Sequence, residues 1–292
     1  YFWKSRAGAN EPISRASLKC YEASQQLPLV CVGNGAGSNW QAQGPFTTPQ
    51  PDISNGGTPS GNGILVSVAV TDSSTIYAGS NAGGLWKSVD GGDNWANVTD
   101  NVGMPGMAVQ DIAIDPANPS HLLIATGLDR GEHVTYGLGV LESFDAGTTW
   151  QTTGLSFTPD SIVLAIRAVY FHPTQAGLMF ALTKQEALRS TDAGATWDTV
   201  GVVGPETNFY NITFHPADDN VLYLTSNALY RSNDAGATWS LLSTGFDYGN
   251  LAEPGRLSLD VTPQYPDYLF AVHTSTDTTG TRKTRLEKSR DR

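Results

Sequence analysis

Apolar residues fall along this chain in short runs separated by turn residues, and the runs come in sets. The first set is ILVSVAVTD (64–72), TIYAGS (75–80), GLWKS (84–88) and NWANVTD (94–100). The second is VQDIAIDP (109–116), HLLIATG (121–127), GVLES (139–143) and TTWQTTG (148–154). IRAVYFHP (166–173), LMFALT (178–183) and EALRS (186–190) form a third, and YNITFHP (210–216), VLYLTS (221–226) and ALYRS (228–232) a fourth. RLSLDVTP (256–263) and YLFAVHT (268–274) begin a fifth, after which the pattern is lost. Runs this short, bounded by Pro, Asp and Gly, predict strands. Sets of four predict an all-β fold of repeated four-stranded blades, a β-propeller.

Each of the first four sets contains one eight-residue box: SVDGGDNW at 88–95, SFDAGTTW at 143–150, STDAGATW at 190–197 and SNDAGATW at 232–239. Its fixed positions are Ser88, Asp90, Gly92 and Trp95, then Ser143, Asp145, Gly147 and Trp150. The third copy has Ser190, Asp192, Gly194 and Trp197, and the fourth Ser232, Asp234, Gly236 and Trp239. The serines are 55, 47 and 42 residues apart, a spacing that suits a blade. The Asp can accept backbone N–H bonds across a tight turn, the Gly supplies a positive φ, and the Trp buries a large ring. This predicts a hairpin turn between the third and fourth strands of each blade, with the Trp largely buried, and a structural role for the box rather than a metal site.

Pro116, Pro173, Pro216 and Pro263 share one turn position after the innermost strand, preceded by Asp115, His172, His215 and Thr262. Because Asp and Thr fill the histidine slot in two blades, these residues read as turn lining, and no metal or other cofactor is expected. Four blades and part of a fifth leave the ring incomplete. At the average period of 48 residues, seven blades would need 336, more than the 292 present, which suggests a fragment of a longer propeller. The expected organisation is a flank or linker over 1–38, the propeller over 39–274, and a basic tail over 275–292, disordered or a non-native end.

Charge narrows the partners. The net charge is −11, yet residues 281–292 carry +4, so the rest carries −15. An acidic body repels phosphates and anionic membranes, so neither nucleic acid binding nor membrane insertion is expected. No apolar run is long enough to cross a membrane as a helix. Cys20 and Cys31 could form one disulfide or be unrelated thiols. Asn97-Val-Thr99 and Asn211-Ile-Thr213 match a glycosylation triplet that arises often by chance.

The boxes and strand frames resemble the Asp-box (BNR-type) propellers, which include sialidases, xyloglucanases and the sortilin Vps10 domain. The stretches TIYAGSNAGGLWKSVDGGDNWANVTDN (75–101), VQDIAIDPANPSHLLIATG (109–127) and YGLGVLESFDAGTTWQTTGLSF (136–157) resemble the first two blades of secreted and surface-attached multidomain proteins of Bacteroidetes. The resemblance implies export, with the signal outside this chain, and a monomer or a module of a longer multidomain chain.

Propellers bind ligands on the face built by the loops entering the innermost strand and those joining the second and third strands. The longest such segment is GLDRGEHVTYG (127–137), with Asp129, Arg130, Glu132, His133 and Tyr136. Asp111, Glu206, Phe209, Tyr210, Asp247, Tyr248, Glu253 and Arg256 belong to the same face, with Phe246 as a further aromatic. A sialidase needs three arginines on the substrate carboxylate, and the few here do not supply them. A xyloglucanase-type hydrolase needs two carboxylates flanking one glycosidic bond, for which Asp111 and Glu132 are the preferred pair. No complete catalytic set is visible, so the leading expectation is a non-catalytic module that binds a glycan or a protein.

Overall fold

The computed structural model describes residues 64–102, 107–130, 133–135, 137–157, 165–201, 208–242, 253–276 and 282–290. They form successive antiparallel sheets, each one blade. Blade one is β1 (Leu65–Val70), β2 (Ile76–Ser80), β3 (Leu85–Ser88) and β4 (Ala96–Asn97). Blade two runs outward from β5 (Val109–Asp115) through β6 (Asn118–Thr126) and β9 (Gly139–Ser143) to β10 (Gln151–Ser156). Between β6 and β9, the expected long loop folds into its own hairpin, β7 (Leu128–Arg130) and β8 (His133–Thr135). Blade three is β11 (Ala168–Phe171), β12 (Met179–Leu182), β13 (Ala187–Ser190) and β14 (Asp198–Thr199). Blade four is β15 (Asn211–Phe214), β16 (Leu222–Thr225), β17 (Leu229–Ser232) and β18 (Ser240–Leu241). Blade five has three strands, β19 (Glu253–Thr262), β20 (Tyr265–Thr276) and β21 (Arg282–Arg290). Among the described residues the blades form an incomplete propeller.

The tail over 275–292 is therefore corrected in part: Arg282–Arg290 is a strand paired along β20. Its register is informative. Ser289 stands opposite Leu269, as the box serines Ser88, Ser190 and Ser232 stand opposite Ile76, Met179 and Leu222. Ser289-Arg290-Asp291 thus repeats the first three letters of the box, Ser-x-Asp, at the proper place. The flank 1–38, with Cys20 and Cys31, lies outside the described residues.

Each complete box is the turn between third and fourth strands. The buried Ser143 hydroxyl donates to Asp145 Oδ1 (2.8 Å) and accepts the Gly147 N–H (2.8 Å). Asp145 in turn accepts the N–H and hydroxyl of Thr149, at 2.8 and 2.6 Å. These bonds hold the Asp145 carboxyl at about 2, below the ordinary range. The other copies repeat the geometry, and in the first Asn94 supplies both donors in place of Thr. Two consecutive residues of each turn have positive φ. The second is always Gly; the first is Gly91 in blade one but Ala146, Ala193 or Ala235 in the others, at φ of 56, 57 and 53°. An L-residue there costs about 1–2 kcal/mol, against about 0.5–1 for the extra chain entropy of Gly. Ala193→Gly is therefore expected to stabilise the protein by about 0.5–1 kcal/mol in a denaturant titration.

The core consists of seams between blades, and the box sits in each seam. Trp150 packs in the cluster between blades one and two, Trp197 between two and three, and Trp239 between three and four. Only Trp239 is buried, while Trp95, Trp150 and Trp197 are half-buried, so the expectation of largely buried rings is corrected for those three. Across each seam a large residue of the second strand faces the next blade: Tyr77, Leu123, Phe180 and Tyr223, all fully buried. Phe180 and Tyr77 lie against the box glycines Gly236 and Gly147 of the following blade. A cation beside this knob completes the joint. Lys87 Nζ, over the Tyr77 ring, donates to Ala146 O at 2.8 Å, and Arg189 Nε donates to Ala235 O at 3.0 Å.

Candidate functional site

The tight turns after the innermost strands are built alike from different residues. Asp115 Oδ1 accepts the Ala117 N–H, His215 Nδ1 that of Ala217, and Thr262 Oγ1 that of Gln264. His172 Nδ1 accepts the Gln175 N–H while Nε2 meets Asp219 O at 2.8 Å, and desolvation holds its pKa below the ordinary histidine value. The side chains act as acceptors for the turn. The glycosylation triplets are also engaged: Asn97 Nδ2 donates to Gly83 O, and Asn211 Oδ1 accepts the Tyr170 hydroxyl.

The opposite face, where the chain enters the innermost strands, carries the candidates for binding. Asp111 on β5 accepts the Val169 N–H of the neighbouring blade at 3.0 Å. As a residue it is half-exposed, but its carboxyl is enclosed between strands, and desolvation lifts it to about 6. Among the described residues no charged group contributes to that shift. The seam continues outward from Asp111. The Tyr170 hydroxyl donates to Asn211 Oδ1 (2.8 Å) and accepts the Ile212 N–H (3.2 Å), and Thr213 Oγ1 donates to Leu259 O (3.2 Å). Burial, and then the Asp111 charge, raises the pKa of Tyr170. These polar groups stitch the inner strands of blades two to five.

Beside this seam lies a small group of two half-buried residues and one exposed one. Tyr210, just before β15, directs its hydroxyl to Asn227 Oδ1 at 3.4 Å, in the loop between β16 and β17. The Arg256 guanidinium of β19 lies 5.2 Å from the centre of the Tyr210 ring. An aromatic plate and an amide from two loops of blade four thus converge with a guanidinium from β19 of blade five.

Phe209 is corrected: it is fully buried among Phe180, Ile212 and Trp239 and offers nothing to a ligand. Phe209 and Ile212 are three residues apart and both buried in one seam, so the period-two alternation of β15 does not extend back to Phe209. Asp129, Arg130 and His133 sit on the β7–β8 hairpin, with Asp129 opposite Val134 and Arg130 opposite His133. Glu253 opens β19. Glu132, Tyr136, Glu206, Phe246, Asp247 and Tyr248 lie outside the described residues. Tyr170 and Asn227 were not among the candidates. The recurring polar residues on inner strands that otherwise alternate apolar side chains were the available signal for Tyr170.

The comparisons agree with this architecture. The family model Sortilin-Vps10, described as sortilin, neurotensin receptor 3, matches residues 185–292. A xyloglucanase from Paenibacillus sp is 30% identical over 105 residues, which is 34% of this chain and 10% of that protein. Xyloglucanase Xgh74A of Acetivibrio thermocellus is 30% identical over 90 residues, 30% of this chain and 11% of that protein. The chain therefore matches only about a tenth of the length of these relatives. Among solved structures, an ancestral GH74 enzyme gives a TM-score of 0.58 at 18% identity, covering 78% of this chain and 30% of its own. The extracellular domain of a hybrid two component system from B. thetaiotaomicron gives 0.52 at 14% identity, covering 76% and 27%. At these identities the likeness is one of fold, that of an Asp-box β-propeller.

Proposed function

We propose that this chain is a non-catalytic binding propeller of an exported multidomain protein, and that its ligand is a β-glucan-type glycan held at Tyr210, Asn227 and Arg256. The observation that carries the reading is the convergence of Tyr210, Asn227 and Arg256 from two adjacent blades. Asp111, for its part, is engaged in an interblade hydrogen bond to the Val169 N–H. The Tyr210 group offers what a neutral sugar needs: an aromatic face, fork-shaped donors and an amide. The glycan class is suggested by the xyloglucanase relatives, and export by the extracellular neighbour.

Calorimetric titration with xyloglucan oligosaccharides tests this reading. Tyr210→Ala is expected to weaken binding about tenfold, the loss of one stacking contact of about 1.4 kcal/mol. Unchanged affinity in that variant would remove the site from consideration. The second reading, a glycoside hydrolase using Asp111 and Glu132, draws on the same relatives. It is favoured if reducing ends appear on incubation with xyloglucan and cease to appear with Asp111→Asn.

A further inference from the structure

The loop joining the second and third strands is closed by the same device in blades one to four. Ser80, Thr126, Thr183 and Ser226 share one register position, two residues past Ala78, Ile124, Ala181 and Leu224, the partners of Val68, Ile112, Val169 and Ile212. Each hydroxyl accepts a backbone N–H from the far side of its loop. The donors are Gly83 at 3.1 Å, Leu138 at 2.8 Å, Glu186 at 2.8 Å and Ala228 at 2.9 Å. In blades one, three and four the bond spans two or three residues, and in blade two it spans twelve. The Thr126 hydroxyl, fully buried, also donates to Gly139 O at 2.7 Å. Blade two thus closes its loop as the others do, and the β7–β8 hairpin is an insertion carried on a finished blade.

The base of the insertion is narrow and fixed. A Cβ on Gly137 would lie 2.8 Å from the Gly127 Cα, so only glycines let the two arms meet there. The Gly127 N–H donates to Ala108 O at 3.0 Å, and the Ile166 N–H donates to Thr126 O at 3.1 Å. Ala108 and Ile166 lie on the segments leading into β5 and β11. The hairpin therefore stands on the face where the chain enters the innermost strands, the face that carries Tyr210 and Asn227. Leu128 is buried at its base. Beyond it, Asp129 and Arg130 stand opposite Val134 and His133. In a chain with only 15% charged residues, Asp129, Arg130 and His133 are an unusual concentration of hydrogen-bonding types.

We infer that the β7–β8 hairpin is a second recognition arm for the ligand held at Tyr210, and that this ligand is an oligosaccharide long enough to reach both. The inference rests on the glycan reading above. An insertion that leaves the closure of its blade unchanged costs ordering entropy and returns little to the blade itself. Such segments, held on a rigid scaffold, are where binding groups concentrate. Blade three separates the hairpin from Tyr210, and packed sheets stand about 10 Å apart. A ligand touching both must therefore span more than one sheet spacing, which a disaccharide seated at Tyr210 does not do.

Calorimetric titration of the 292-residue chain with cellobiose and with cellohexaose tests the arm. The wild type should bind cellohexaose about tenfold more tightly, the worth of one or two added neutral hydrogen bonds. Replacing residues 128–136 by Asn-Gly, a two-residue hairpin turn, should keep the circular dichroism and the cellobiose affinity while removing that advantage. The triple variant D129A/R130A/H133A keeps the hairpin backbone and should do the same, whether or not the replacement folds. Tyr210→Ala should weaken both sugars. Retention of the cellohexaose preference in the triple variant or in a folded replacement overturns the inference. Loss of that preference there, with Tyr210→Ala changing neither affinity, would leave the arm standing and remove the Tyr210 site. A wild type that binds neither sugar overturns both.

Discussion

Trp239→Ala is expected to lower stability by about 3–5 kcal/mol, the usual cost of deleting a large buried ring. Trp239 is 5% exposed and fills the seam between blades three and four with Phe180, Phe209 and Tyr230. The Gly236 turn, stacked on Phe180, leaves no Cβ that could move into the space. The cavity would therefore persist at a joint that transmits packing between two blades. Against a typical total of about 5–15 kcal/mol, this is a large share. A domain of this size should melt roughly 6–20 °C lower.

The same substitution at Trp95 should cost less than half as much. Trp95 keeps its indole bond to Gly92 O at 2.9 Å but lies outside the interblade clusters that contain the other three. Calorimetric melts of the two variants decide the matter. Equal losses would mean that the Trp stabilises its own hairpin, and the account of the box as a joint between blades would be wrong.

Repetition made the blades legible, because four copies of one motif fix both the strand order and the turn between strands three and four. What repetition could not show was the direction each residue faces across a seam. Phe209 precedes an inner strand as a binding aromatic would, yet it is buried in a seam while its neighbour Tyr210 is half-buried. The last strand was hidden for a different reason. RKTRLEKSR holds one apolar residue, Leu286, so it carries no hydrophobic alternation, and its identity emerges only from the pairing that sets Ser289 opposite Leu269. The clamp formed by Lys87 and Arg189 was equally obscure. The apolar-basic step before each box was visible in sequence, but the acceptor, a box carbonyl on the next blade, is distant along the chain. In blade two the register holds Glu142 instead, which accepts from Gln151 Nε2 and faces His121 at 3.6 Å.

Asp111→Asn is expected to stabilise the protein at neutral pH by about 3 kcal/mol, and the gain should vanish in acid. The carboxyl titrates near 6 in the folded chain and near 3.8 when unfolded, a difference of about two units at about 1.4 kcal/mol each. Between those values the folded state binds the proton more tightly, so this group makes stability fall as pH rises from about 4 to 6. His172 acts in the opposite sense, since its depressed pKa makes the folded state lose stability as pH falls below the ordinary histidine value. Comparing wild type with Asp111→Asn at each pH cancels the histidine contribution. Asparagine keeps an oxygen for the Val169 N–H and removes the charge whose desolvation is costly. Denaturant titrations from pH 3.5 to 7.5 should show the two proteins diverging across the interval from 4 to 6. A difference that stays flat with pH would mean the Asp111 carboxyl is well solvated. The same variant bears on function, because a module that binds glycan at Tyr210 should keep its affinity when Asp111 becomes Asn, whereas a hydrolase relying on Asp111 should lose its turnover.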